Sequence, residues 1–145
     1  MKRINARIRK LTPCNWGLSV SACMERVNRY LSGWTEYFRL CTKQGAKDFQ
    51  RIDAHIRRRI RAIIVRQRKR PRYLYRHLRS RGVPAGSAAR TAFRSRGPWK
   101  KSNPPGMTRA YPNAWFHQRL VSTWTRWQEL NRPAPASGQA ALFAL

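Results

Sequence analysis

Two long segments of this chain repeat apolar residues at spacings of three and four, a period that only a helix turns into a single face. In the first, Val20, Cys23, Met24, Val27, Tyr30, Leu31, Trp34, Tyr37, Phe38 and Cys41 share that face, which predicts a helix over 19–41. Ser19 or Ser21 is placed to cap its first amides. Gly33 falls inside it at a cost of about 1 kcal/mol against Ala, so a neighbour is expected to approach the backbone closely there. In the second segment Phe49, Ile52, Ile56, Ile60, Ile63 and Ile64 form one stripe. Gly45 separates the two, and the second helix is expected over 47–70. Its opposite side carries Arg51, Arg57, Arg58, Arg61, Arg68 and Lys69. Arg59 borders the stripe and reads as a snorkelling or paired side chain. Asp48 near the start and basic residues near the end both suit the helix dipole.

The remaining text is more broken. Pro71 interrupts the second helix, and a short helix over 73–80 stops at Gly82. A further helix over 84–94 carries Ala88, Ala89, Ala92 and Phe93. From 95 to 112 the runs Gly-Pro-Trp, Ser-Asn-Pro-Pro-Gly and Tyr-Pro read as loop. A last helix is expected over 113–130 from Trp115, Phe116, Leu120, Val121, Trp124 and Trp127, with Asn113 as its cap. Residues 1–18 read as a basic arm with Ile4, Ile8 and Leu11 at helical spacing, residues 19–131 as the helical domain, and 132–145 as a disordered tail. There is no strand pattern, internal repeat or βαβ rhythm. The expected fold is all-α, a small bundle of two long helices and several shorter ones.

Charge decides the class of partner. The chain sets 32 Lys and Arg against 5 Asp and Glu, for a formal net charge of +27. Every acid could take a basic partner and the excess would remain. Solvated faces mix both signs, and so much unmatched charge on a small domain repels itself unless a polyanion neutralises it. Most of the basic residues are Arg, whose planar fork suits phosphate contact and base stacking. With 41% hydrophobic residues the chain can still bury a core, unlike a basic tail. No apolar run approaches a membrane span and no apolar signal region opens the chain. Cys14, Cys23 and Cys41 are odd in number and widely spaced, so no disulfide framework is expected. The expectation is a cytoplasmic protein with reduced thiols, Cys23 and Cys41 being core residues.

Neither metal binding nor catalysis is expected. The cysteines and His55, His77 and His117 show no CxxC, no HxxxH and no other paired ligand spacing. Two-metal phosphoryl transfer needs clustered carboxylates, whereas Glu25, Glu36, Asp48, Asp53 and Glu129 are scattered. Asp53 stands four residues before Arg57, the spacing of an ordinary helix ion pair. No cofactor is implied. The informative stretch is IRRRIRAIIVRQRKRPRYLYRHLRSRG, which joins a docking stripe to a dense Arg face with Tyr73 and Tyr75 interleaved, the combination used for phosphate contact and base stacking.

Four ordered blocks of this chain carry a family resemblance: LSGWTEYFRL (31–40), IRRRIRAIIVRQRKRPRYLYRHLRSRGV (56–83), RSRGPWKKSNPP (94–105) and YPNAWFHQRLVSTWTRWQEL (111–130). Together they resemble the maturase-specific domain of group II intron reverse transcriptase/maturases over residues 3–130. The resemblance implies an α-helical, thumb-like module that binds group II intron RNA and helps it reach its splicing-active fold, the ribozyme performing the chemistry. It places a DNA-target-binding region after Val83. Target DNA and a separately encoded reverse transcriptase part are therefore further candidate partners, and a DNA-binding accessory module or a functionless remnant are competing functions. The acidic polymerase motif and a Cys/His-rich endonuclease module are absent from these residues, so reverse transcription and target cleavage are not implied. Cys14 departs from the pattern, standing where a basic residue is expected.

The residues expected to contact the RNA backbone are Arg57, Arg58, Arg61, Arg66, Arg68, Lys69, Arg70, Arg72, Arg76 and Arg79, followed by Arg96, Lys100 and Lys101. Gly33, Trp34, Tyr37 and Phe38 are expected to build the core and its helix packing rather than touch RNA, and Trp99 to anchor the loop that carries it, with stacking on a base as the alternative.

Overall fold

The computed structural model describes residues 2–13, 17–37, 43–94 and 97–132. Within them the chain is helical and has no strand, in agreement with the all-α expectation. The helices are α1 (Lys2–Leu11), α2 (Val20–Tyr37), α3 (Lys43–Gln67), α4 (Pro71–Ser80), α5 (Ala85–Phe93), α6 (Pro98–Lys101), α7 (Pro105–Ala110), α8 (Asn113–His117) and α9 (Thr123–Leu130).

The apolar stripe of α3 makes it the spine. Phe49, Ile52, Ile56, Ile60, Ile63 and Ile64 are all buried in one core that takes Val27 and Leu31 from α2, Ile4 and Ile8 from α1, and Phe116 and Trp127 from the last helices. Ile60 through Val65 are buried without interruption, Arg61 included. An amphipathic surface helix leaves one face open; the middle of α3 leaves none, because α1, α2, α6 and α9 all pack on it. Ser19 caps α2, accepting the Ala22 N–H at 3.2 Å. Arg59, expected to be paired or snorkelling, donates from Nε to the Thr12 hydroxyl at 3.0 Å and from Nη2 to the Thr12 carbonyl at 2.6 Å, holding the end of α1 to the spine.

A second layer is built from α4, α5 and α7 around Leu74, Leu78, Val83, Ala88, Ala92, Met107 and Ala110, continuous with the main core. Gly82 ends α4 at φ +79, donating to the Arg79 carbonyl at 3.0 Å while Val83 reaches the Leu78 carbonyl at 3.1 Å. This is a Schellman closure whose apolar partners, Val83 and Leu78, are both buried. At Gly106 a Cβ would run into the Thr91 hydroxyl and stand 3.0 Å from the Ser87 carbonyl, so α7 lies directly against α5.

Several boundaries differ from expectation, each for a local reason. Gly45, expected to separate the long helices, lies within α3, which ends at Gln67 rather than at residue 70. The stop is set by Pro71, which forces Arg70 into an extended conformation (φ −106, ψ 142) and opens α4 as its first residue. The loop-like text over 95–112 contains α6 and α7, each started by a proline at its first turn. The expected final helix is two helices, α8 and α9. Asn113 is not the cap of α8; Pro112 holds that position and no side chain caps it. The break before α9 is held from outside: Asn28 donates from Nδ2 to the Arg119 carbonyl and accepts the Val121 N–H, both at 2.8 Å. Asp53 is not the expected helix ion-pair partner of Arg57. Its carboxylate accepts the Ser122 hydroxyl at 2.7 Å, the Thr123 N–H at 3.0 Å and the Trp124 N–H at 3.3 Å, capping α9. Among the described residues the ion pairs are Arg51–Asp48 and Arg126–Glu36. Gly33 is exposed, and no atom of the described residues lies within 4 Å of where its Cβ would stand, so the expected close approach is not there. Cys23 is buried in the core, as expected; Cys14 and Cys41 lie outside the described residues.

Candidate nucleic-acid interface

The turn from α3 into α4 gathers most of the predicted basic residues. Lys69 takes φ +35, a conformation of the left-handed side that few non-glycine residues adopt. The turn closes through its own backbone, Arg68 N–H to the Val65 carbonyl at 3.2 Å and Lys69 N–H to the Arg66 carbonyl at 3.3 Å, with Arg70 N–H bonded to the Arg68 carbonyl. With the backbone turned inward on itself, Arg66, Arg68, Lys69 and Arg70 are exposed side chains, and so are Arg72, Arg76 and Arg79 on the helix that follows.

Two open grooves flank this corner. One, about 1030 Å³, is walled by Leu18, Ser19, Arg66, Arg70, Leu74 and Lys101. The other, about 560 Å³, lies between Arg68, Lys69, Tyr73, Arg76, His77 and Ser80. Tyr73 is 45% exposed, an open ring face among cations, and the Arg72 guanidinium stands 5.3 Å from its centroid. No acid occurs between Asp53 and Glu129, so no carboxylate of that stretch competes for these guanidiniums. Such a surface can neutralise phosphates and stack an unpaired base.

The predicted residues further back on α3 are placed differently. Arg61 is 7% exposed and donates from Nε and Nη2 to the Tyr111 carbonyl at 3.2 and 2.8 Å, with the Phe116 ring 5.1 Å away. This corrects its expected role: a guanidinium committed to a buried carbonyl is a fastener, not a phosphate contact. Burial, and then the charge of Arg57, pull its pKa below the ordinary guanidinium value. Arg58 lies over the Trp99 ring at 4.0 Å, and Trp99 also meets His55 edge-on at 5.8 Å. Trp99 thus connects α6 to α3. Arg57 is half-buried beside them. Lys101 donates to the Ala92 carbonyl at 2.8 Å while lining the larger groove; Lys100 is exposed. Arg79 keeps one Nη1 bond to the Val83 carbonyl at 3.0 Å. Trp34 packs edge-on against Phe49 at 5.5 Å, whereas Tyr37 is 82% exposed and not a core residue. It follows the helical period, but in the last turn of α2 it is Trp34 and Thr35 that meet the described core. Arg96 and Phe38 lie outside the described residues.

Sequence reasoning passed over His77, Arg81 and Tyr111. His77 Nε2 lies 2.5 Å from the Tyr111 hydroxyl, with the two rings stacked. Arg81 covers the same tyrosine at 4.3 Å and donates from Nε to the Ala110 carbonyl at 2.7 Å. Burial, then the charges of Arg68 and Arg81, hold His77 below its ordinary pKa of 6.5. Burial raises Tyr111 above 10.0 against the opposing pull of Arg81 and Arg68. The signal that was available is the spacing of Tyr73, Arg76 and His77 at i, i+3 and i+4, which puts them on one face of α4.

Residues 1–82 match the group II intron, maturase-specific domain, and this span covers more than half of the chain. The chain belongs to that family. The maturase-specific match takes in α1 to α4 and the whole basic corner, and it ends at Gly82, where α4 is closed. The third and fourth blocks of the resemblance, on α6 to α9, lie beyond the matched span. No curated protein matches the chain. Among the described residues of this maturase-specific chain, no three His, Cys, Asp or Glu side chains cluster where they could hold a metal ion, and no helix is long and apolar enough to cross a membrane.

Proposed function

We propose that this chain binds group II intron RNA through the α3–α4 corner and stabilises the fold in which the intron splices. Family membership supports the RNA as partner, and the corner supports the mode of binding. The single observation that carries the proposal is the crowding of exposed Arg66, Arg68, Lys69, Arg70, Arg72 and Arg76 around the half-exposed Tyr73, in a stretch of sequence without a carboxylate. Backbone phosphates bind the guanidiniums and fix register; an unpaired base stacks on Tyr73. Cleavage and ligation belong to the RNA, and the protein's contribution is to neutralise phosphates that the folded intron brings close together.

The test compares a group II intron RNA, a scrambled RNA of equal length and duplex DNA in competition at about 0.15 M salt. Tighter binding to the intron RNA, together with faster splicing in vitro when protein is added, is the expected result. Equal affinity for all three removes the specific claim, and a preference for duplex DNA favours an accessory module that acts on target DNA.

A further inference from the structure

Away from the corner, one crevice holds polar groups that the fold does not use. It opens between α3, α6 and the start of α8, encloses about 350 Å³, and is lined by His55, Arg57, Arg58, Trp99, Asn103 and Asn113, with Arg61 at its floor. Two buried nitrogens here, His55 Nε2 and Arg58 Nε, have no hydrogen-bond partner among the described residues. A buried polar atom left unpaired is costly, by about 1–3 kcal/mol, and this crevice holds two of them. Nothing in the crevice offsets the cations. Arg57, Arg58 and Arg61 face it from one helix, no carboxylate lines it, and the Arg58 guanidinium is already steered onto Trp99 by a 4.0 Å stacking contact and a 3.4 Å bond to the Trp99 carbonyl. The electrostatics agree: burial and then Arg59, Arg9 and Arg58 keep His55 below its usual pKa.

We infer that this crevice is a second RNA site, taking one backbone phosphodiester between the guanidiniums of Arg57 and Arg58 and the side-chain amides of Asn103 and Asn113. The inference rests on the RNA-binding reading proposed above. It separates the bound strand from the corner by the last turns of α3, from Arg57 to Gln67, roughly 15 Å at 1.5 Å per residue, so one folded RNA spans both. The crevice is also assembled across the end of the family match: α3 lies inside residues 1–82, whereas Trp99, Asn103 and Asn113 lie after it. The segment after residue 82 thereby adds a contact that the matched span alone does not complete.

The experiment uses the full chain and a group II intron RNA. Asn103→Asp and Asn113→Asp together place two negative charges at the crevice without touching the buried groups; Gln50→Glu and Gln128→Glu combined, two exposed changes of the same total charge on α3 and α9, are the control. Circular dichroism verifies the fold of each. The double Asp variant is expected to bind the RNA roughly tenfold more weakly and to lower the salt slope by about 1, while the control stays near wild type. The Asn103 and Asn113 side-chain amide resonances are expected to shift when RNA is added. If RNA leaves those resonances unmoved and the double variant binds like the control, the second site is wrong. Shifts produced by inorganic phosphate but not by RNA overturn it equally. Should the wild-type chain itself fail to bind RNA, the proposed function fails first; loss only in corner variants retains that function and removes this site.

Discussion

The carboxylate of Asp53 accepts both the backbone N–H and the hydroxyl of Thr123, at 3.0 and 2.7 Å, and so ties the spine helix to the first turn of the last one. The bond couples two ends of the fold. α9 covers the core with Trp127 only while its N-terminal amides are satisfied, and the acid that satisfies them comes from a residue seventy positions earlier in the chain. Asp53→Ala should lower stability by about 2–3 kcal/mol, because it strands buried donors rather than merely deleting a contact. Urea denaturation reads the loss; an unchanged midpoint would mean that α9 is held by apolar burial alone.

Arg61 and Arg70 make opposite predictions although both are arginines in the same basic run. Arg61→Ala leaves the Tyr111 carbonyl unpaired and should destabilise the fold by about 1–3 kcal/mol, with the salt dependence of RNA binding unaltered. Arg70→Ala, at an exposed position, should leave stability within about 0.5 kcal/mol and weaken RNA binding. Denaturation and a salt titration on the two variants separate structural from phosphate-facing arginines.

Stability should fall on acidification through the range in which histidine titrates. His55 and His77 have folded-state pKa values below the ordinary 6.5. Below 6.5 the unfolded chain therefore binds more protons than the folded one, and the folded state loses ground as pH falls toward the folded values; above 6.5 the contribution is complete. Denaturant midpoints measured from above pH 7 to about pH 5 should decline, and His77→Gln should flatten part of the decline. A midpoint that rises on acidification would contradict the buried setting of both rings.

Two glycines should respond in opposite directions. Gly33→Ala fills open space in α2 and should raise stability by about 1 kcal/mol. Gly82→Ala, at φ +79, should lower it by about 1 kcal/mol or more, since an L side chain is strained in that conformation. Thermal denaturation of the pair checks both signs.

The helical class and the spine were legible because Phe49 to Ile64 keep one period without a break, and tertiary packing did not need to override it. The basic corner was legible for a related reason: Pro71 marks the turn, and the Arg residues crowd around it. What the pattern could not convey was the return of the chain after residue 82. Arg57, Arg58 and Arg61 share a polar face in sequence, yet Trp99, Tyr111 and Phe116 come back to cover it, and guanidiniums tolerate such cover because they stack on rings and donate to carbonyls. Asp53 was misread on the same account, its local Arg57 partner being displaced by a distant helix terminus. The 95–112 text reads as loop because a proline inside a helix breaks it, whereas Pro98 and Pro105 stand at first turns and start helices. Periodicity carries α8 and α9 as one helix; Asn28 and Asp53, acting from outside, divide them.

The central claim is that exposed guanidiniums at the α3–α4 corner bind intron RNA through its phosphates. It is tested most directly by the slope of log affinity against log salt for the wild-type chain and for Arg68→Gln, Arg70→Gln, Arg72→Gln combined. The account predicts that the slope falls by roughly three, about one for each phosphate contact removed, with affinity at physiological salt reduced and the fold intact. An unchanged slope with unchanged affinity in a folded triple variant would contradict it.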